Sequence, residues 1–169
     1  GILSCLFKKN KKILGKAAPP GDISDFIDSA RSYNQKIKSY KKRLSQLFIA
    51  VKEKGFKIIL YGVGCRGAML VNGLKIGSWI DFAVDDQEER QGKFLPGSHA
   101  PIYSSEKLAD QEERFFIILA VGQENNQKVR SRINTILPGK NPLIISACSP
   151  SDIFKELKNA ELNIDINNI

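Results

Sequence analysis

From residue 24 to about residue 54, apolar side chains recur at steps of three and four: Phe26, Ile27, Ala30, Tyr33, Ile37, Tyr40, Leu44, Leu47, Phe48 and Val51. Lysines and arginines hold the opposite positions. This period predicts a long amphipathic helix over 22–54, or two helices joined near 32–34, packing on the domain C-terminal to it. Gly55 stops it, and the pattern then changes. Residues 56–61 form a short continuous apolar run, as in a strand buried on both faces. Further strands are expected at 79–84, 115–121 and 143–146. Helices are expected at 68–74, 104–109, 124–135 and 149–158. A long polar stretch, QEERQGKFLPGSHAPIY, reads as a loop after the second strand. The tail, 161–169, reads as an edge strand or a loose end. Strand and helix alternate. The fold class is therefore α/β, a Rossmann-like three-layer fold with a mainly parallel sheet, preceded by a long N-terminal helix. The domain proper runs over 55–160.

The first strand ends in a glycine cluster. Gly62, Gly64 and Gly67 fit G-x-G-x-x-G at the junction of a strand and a helix. There the first glycine permits the sharp turn, the second lets a diphosphate approach the backbone, and the third lets helix and strand pack closely. The helix N-terminus offers free N–H groups to an anion, and Arg66 can add a phosphate contact. The motif also wants an acid ending the second strand about 20 residues on, a place that Asp85 and Asp86 fill. Two readings of the turn stand: a nucleotide or diphosphate cradle, or a packing corner with no ligand. Cys65 is a candidate reactive thiol, with a small residue packed in the turn as the plainer reading. A donor site for S-adenosylmethionine usually carries an acid just before the first glycine, and Tyr61 stands there. For hydride transfer the chain looks short, with no second domain expected to form a substrate cleft. His99 is the only histidine and the weak catalytic candidate of the chain, expected near the carboxyl edge of the sheet.

Composition narrows the classes further. The chain has 169 residues, enough for one well-packed domain, and a net charge of +8. Much of the excess lies in the first third, in a basic leader over 1–21 and on the polar face of the long helix. Aromatic residues do not interleave with the basic ones, so nucleic acid is an unfavoured partner. A solvated basic face, an acidic partner and an anionic membrane all fit the charge. Cys5, Cys65 and Cys148 have no metal-ligand spacing, so no metal is expected; an odd, scattered count suits a reducing cytoplasm. No apolar run approaches the ~20 residues that cross a bilayer. Gly1, Cys5 and the lysines give a faint acylation pattern, the one route to a membrane.

The stretch YGVGCRGAMLVNGLKIG, continued by IDFAVDDQEERQGKFLPGSHAPIYSSEKL, resembles the C-terminal domain of sugar C-methyltransferases, three-domain enzymes that methylate nucleotide-linked deoxysugars. Gly62, Gly64, Arg66 and Gly67 match the family's turn. Asp85, Gln91, Gly92, Pro96, Gly97, Ser98, His99 and Pro101 match the rest in order. The resemblance covers roughly 30–122. It implies a Rossmann-like domain that helps to hold the nucleotide sugar, while zinc and methyl donor belong to other domains of those enzymes. A similar turn occurs in the N-terminal domain of sugar acyltransferases. After the third strand this chain reads AVGQENNQKV, where the family shows a Trp-Asn pair.

Three functions stand as expectations. The first is a nucleotide-sugar or other diphosphate binding module without a methyl-donor site of its own, acting with a methyltransferase catalytic domain or a protein partner. Its ligand would meet Gly62, Gly64, Cys65, Arg66, Gly67, Asp85 and Asp86, with Lys93, Pro96, Gly97, Ser98 and His99 closing from the loop. The second is a small S-adenosylmethionine-dependent methyltransferase acting on a sugar in the same cleft. The third is a non-catalytic adaptor with a vestigial cleft.

Overall fold

The structure, a computed structural model, describes residues 23–109, 113–147 and 153–166. The basic leader, with Cys5, and Cys148 lie outside the described residues, as does the expected helix start at 149–152. Two compact units divide the chain, Gly1–Lys36 and Ile37–Ile169. The helix α1 (Ile23–Glu53) supplies residues to both and is continuous through 32–34. In the first unit its apolar members are exposed: Phe26 at 77% and Tyr33 at 67%. Asp28 and Arg31 form an exposed ion pair there.

The second unit is a five-stranded sheet in the order β3-β2-β1-β4-β5, every pair parallel. The strands are β1 (Phe56–Tyr61), β2 (Phe82–Val84), β3 (Ile102–Tyr103), β4 (Arg114–Leu119) and β5 (Leu143–Ser146). The helices are α2 (Cys65–Leu74), α3 (Gln123–Ile136) and α4 (Ile153–Ile166). Successive strand residues point to opposite faces, and both faces are covered, which is why the strands read as unbroken apolar runs. On one face Ile58, Leu60, Phe116, Ile118 and Ile145 pack with Tyr40, Leu44, Phe48 and Val51 of α1, Val71 of α2, and Leu157, Ala160 and Ile164 of α4. On the other, Ile59, Tyr61, Val84, Ile117 and Leu119 pack with Leu108, with Val129 and Ile133 of α3, and with Leu137 just after it. Each fully buried Leu, Ile or Phe contributes about 1.5–3 kcal/mol, so this double-sided core holds the domain together.

Several boundaries differ from those expected. Helix α2 begins at Cys65, taking Arg66 and Gly67 into its first turn. Residues 77–79 form a 3-10 turn, which shortens β2. The polar loop is partly ordered as a hairpin: Gly92 donates to Ile102, Ile102 to Lys93, and Leu95 to Ala100. Its second arm continues into β3, an unforeseen edge strand. The described tail residues, 161–166, are helical and add no edge strand. Helix α4 runs through the expected domain end at 160 to Ile166, because Leu157, Ala160 and Ile164 fall on one helical face and are buried.

The chain passes from β1 through α2 to β2 on one face of the sheet, and from β4 through α3 to β5 on the other. Neighbouring strands β1 and β4 thus send their chains apart. Tyr61 pairs with both Val84 and Leu119, so the carboxyl ends of β1, β2 and β4 lie level. A crevice opens where strand order reverses, the usual ligand position in such sheets.

Candidate functional site

The glycine turn forms one wall of this crevice, and its three glycines have different causes. Gly62 has φ +96°, a conformation that L side chains rarely adopt. Its N–H donates to Val84 O at 2.9 Å, tying the end of β1 to β2. A Cβ on Gly67 would lie 2.2 Å from the Gly62 carbonyl oxygen, so close packing of α2 on the turn excludes any side chain. Gly64 is different. Its φ is −63° and ψ −170°, open to any residue. The nearest atoms a Cβ there would meet are those of the Arg90 guanidinium, at 3.5–3.7 Å, an ordinary contact. The fold therefore requires glycine at 62 and 67 but not at 64. Gly64 is also the N-cap of α2, with no side-chain cap and no acid in the first turn. The N-cap of α3 is likewise a glycine, Gly122, without a side-chain cap. Both helix N-termini meet the crevice; that of α2 has no acid in its first turn, whereas that of α3 carries Glu124, whose carboxylate lies against Gly122.

The crevice is an open cleft of about 710 Å³. It is lined by Tyr61, Gly62, Gly64, Cys65 and Arg66 from the turn, by Asp85, Asp86, Gln87 and Arg90 after β2, and by Ala120, Val121, Gly122, Asn125, Lys128, Val129 and Arg132 from β4 and α3. Its four cations, Arg66, Arg90, Lys128 and Arg132, outnumber its two carboxylates.

Those carboxylates are engaged within the protein. Asp85 is buried, at 4% exposure. Its Oδ2 accepts from the Val63 N–H at 2.8 Å and from Arg90 Nη1 at 3.0 Å. Its Oδ1 accepts from the Gln87 N–H at 2.9 Å. Asp85 thereby clasps the glycine turn to the segment after β2. Asp86 Oδ2 accepts from the Tyr61 hydroxyl at 2.8 Å. Its Oδ1 accepts from Ser105 Oγ at 2.6 Å and is ion-paired with Arg132 at 3.1 Å, whose Nε–H donates to Ser105 Oγ at 3.0 Å. Arg132 also reaches Glu106 at 2.8 Å. Burial, reinforced by the bond to Asp86, pushes the Tyr61 hydroxyl far above its ordinary value, so it stays protonated and donates. Where an S-adenosylmethionine site would present an acid, this cleft presents a buried phenol.

Of the residues expected from the sequence, Gly62, Gly64, Cys65, Arg66, Asp85 and Asp86 come together in the cleft, while Gly67 lies beneath it as a packing residue. Cys65 is exposed, not packed in the turn. The loop residues Lys93, Pro96, Gly97, Ser98 and His99 do not line the cleft. The hairpin tip turns away toward the amino edge of the sheet. Asn72, in the last turn of α2, donates to Pro96 O at 3.0 Å. Gly97 has φ +87° and leaves no room for a Cβ beside Asn72. Ser98 packs on Gly77, which precedes β2. His99, expected at the carboxyl edge, is exposed at this opposite edge with φ +57°. The Pro-Gly-Ser-His stretch is thus accounted for by docking of the hairpin on α2. The sequence reading missed Arg90, Lys128 and Arg132. The spacing of Asn125, Lys128 and Arg132 along one side of α3 was the available signal.

A second polar groove, of about 520 Å³, lies between α3 and α4. Its charged pair, Arg130 and Glu156, is closed at 3.2 Å. No group of three or more His, Cys, Asp or Glu side chains among the described residues could hold a metal ion. No described helix is long and apolar enough to cross a membrane.

The parallel sheet, the glycine turn and the switch-point cleft define a Rossmann-like α/β domain. A family model described as the C-methyltransferase C-terminal domain matches residues 24–138, over half of the chain, and the chain belongs to that family. The C-methyltransferase NovU of Streptomyces niveus is 29% identical over 114 residues, covering 63% of this chain and 27% of its own length. The chain therefore spans about a quarter of that relative. Among solved structures, the UDP-D-quinovosamine 4-dehydrogenase of Vibrio fischeri aligns with a TM-score of 0.43 and 15% identity, over 60% of this chain and 84% of that one. That likeness is too distant to inform the site.

Proposed function

We propose that the domain binds a nucleotide-linked diphosphate ligand, a nucleotide sugar, at the switch-point cleft. In this reading it holds the ligand for methyl transfer, and the methyl donor is bound elsewhere, by another domain or a partner. The observation that carries the proposal is Gly64. The fold does not require glycine there, yet a side chain would project into the cleft beside the α2 N-terminus. A glycine without a structural cause at that point is what close approach of a diphosphate needs. The α2 N-terminus, with no acid in its first turn, and an excess of cations suit the same charge. The nature of the family supports a sugar as the group carried.

Methyl transfer by this domain alone is the weaker reading. Tyr61 is buried, protonated and committed to Asp86, which leaves no carboxylate at the position a methyl-donor site uses. An adaptor with an empty cleft leaves Gly64 without a cause. Isothermal titration calorimetry with nucleotide sugars, nucleoside diphosphates and S-adenosylmethionine tests all three. The proposal expects the diphosphates to bind and the methyl donor not to bind. Binding of S-adenosylmethionine alone favours the enzyme reading, and heat from neither favours the adaptor.

A further inference from the structure

We infer that Arg90, positioned by Asp85, is the residue that reads the ligand's diphosphate, and that the cleft does not discriminate the ribose 2′-hydroxyl. The inference rests on the reading above, that a nucleotide diphosphate occupies the cleft.

A ribose diol is normally gripped by a carboxylate at the end of the second strand. Here both candidate carboxylates are already engaged within the protein. Asp85 is buried and takes three donors, from Val63, Gln87 and Arg90. Asp86 takes two, from Tyr61 and Ser105, and is ion-paired with Arg132. Displacing one of these donors costs about 1–3 kcal/mol, comparable to what a new hydroxyl contact returns. A ribose hydroxyl therefore meets carboxylates oriented toward protein donors.

Arg90 is prepared. Its Nη1, Nη2 and Cζ lie 3.5, 3.6 and 3.7 Å from the point a Gly64 Cβ would occupy. These distances place the guanidinium in van der Waals reach of a side chain at 64, beside the α2 N-terminus. One nitrogen is fixed on Asp85, the only side-chain partner of Arg90 among the described residues. Four of its five N–H donors remain, in a planar fork that matches phosphate oxygens. Its side chain is 39% exposed, so it is reachable, yet Asp85 has already restricted its rotamers. Arg66 is exposed and has no such tether among the described residues. Asp85 acts in this scheme through Arg90 and the turn, as a positioning residue.

The test is calorimetric titration of the full chain with inorganic pyrophosphate and with uridine, adenosine, guanosine and cytidine diphosphates, each beside its 2′-deoxy counterpart. Each ribo and deoxy pair that binds should agree within about threefold, because less than one hydrogen bond separates them. Arg90→Ala should weaken pyrophosphate and diphosphate binding about tenfold or more. Arg90→Lys, which keeps a charge beside Asp85 and preserves the fold, should recover only part of this. A deoxy form that binds tenfold more weakly overturns the inference, as does undiminished affinity in both Arg90 variants. In either case nucleotide binding at the cleft still stands. If no probe binds, both readings fall.

Discussion

Gly64→Ala and Gly67→Ala separate the demands of the fold from those of the ligand, one turn of helix apart. In Gly67→Ala the new methyl would sit 2.2 Å from the Gly62 carbonyl oxygen, well inside normal contact. The obstacle is backbone at a turn already fixed by the Gly62–Val84 bond. Relief needs α2 to move away from β1, and overpacking of this kind costs about 3 kcal/mol. At about 2–4 °C per kcal/mol for a chain of this size, the melting temperature should fall by roughly 10 °C. In Gly64→Ala the methyl meets a guanidinium at 3.5 Å, which can give way. Alanine restricts the unfolded chain, a gain of about 0.4–1 kcal/mol, but is a poorer N-cap than glycine by a similar amount. The two effects offset, and stability should change by less than about 0.5 kcal/mol. The same methyl stands in the path of a phosphate, so diphosphate affinity should drop at least tenfold, about 1.4 kcal/mol. Urea unfolding followed by Trp79 fluorescence reads the stabilities, since this single tryptophan packs on Phe48 at 5.9 Å. Calorimetry reads the binding. Comparable destabilisation by both variants would refute the reasoning, as would a Gly64→Ala protein that binds diphosphates normally.

The same geometry sets other outcomes. His99→Gly relieves a left-handed residue and should leave stability unchanged or raise it by about 1 kcal/mol, with ligand affinity unaltered; a large loss of affinity would return the hairpin to the site. Tyr61 has a raised native pKa. Its contribution is therefore complete below the unfolded value near 10 and declines as pH rises beyond it, by about 1.4 kcal/mol per unit. Tyr61→Phe should lose that decline, and urea titrations between about pH 9 and 11 compare the two proteins; equal slopes would contradict the assignment. Asp81 accepts from the Ile58 N–H at 2.7 Å and pairs with Lys52, joining α1 to β1. Asp81→Ala should cost about 1–3 kcal/mol in urea unfolding without changing ligand affinity, and a neutral substitution would show that the clamp is dispensable.

The alternation of β1, α2, β2, β4, α3 and β5 was legible because parallel strands buried on both faces leave unbroken apolar runs, and because Gly55 marks the change of period. Strand β3 was hidden. Its two residues close a hairpin whose partner arm, from Gly92 to Leu95, is set in polar text. The tail misled for a physical reason: Leu162, Ile164 and Ile166 alternate like a strand, while Leu157, Ala160 and Ile164 keep a helical period, and burial of the latter set prevailed. The site was legible in its positions but not in its roles. Spacing located Asp85 and Asp86 correctly at the end of β2. It could not show that Val63, Gln87 and Arg90 engage Asp85, or that Tyr61, Ser105 and Arg132 engage Asp86, because most of those partners come from separate segments of the chain. Arg90 was one charge in the run QEERQ until the fold laid it against Gly64. The Pro-Gly-Ser-His tip carried the family resemblance, yet its glycine answers to Asn72 and the tip lies at the far edge of the sheet.

The most direct test of ligand binding at the switch point is a ¹H–¹⁵N correlation spectrum of the labelled chain, titrated with a nucleotide sugar such as UDP-glucose. Binding at the glycine cradle predicts saturable shifts concentrated at Gly62, Val63, Gly64, Cys65 and Gly122, with the amides of Gly97–Ala100 unmoved. Shifts centred on the hairpin tip or on the groove between α3 and α4, or none at millimolar ligand, would contradict it.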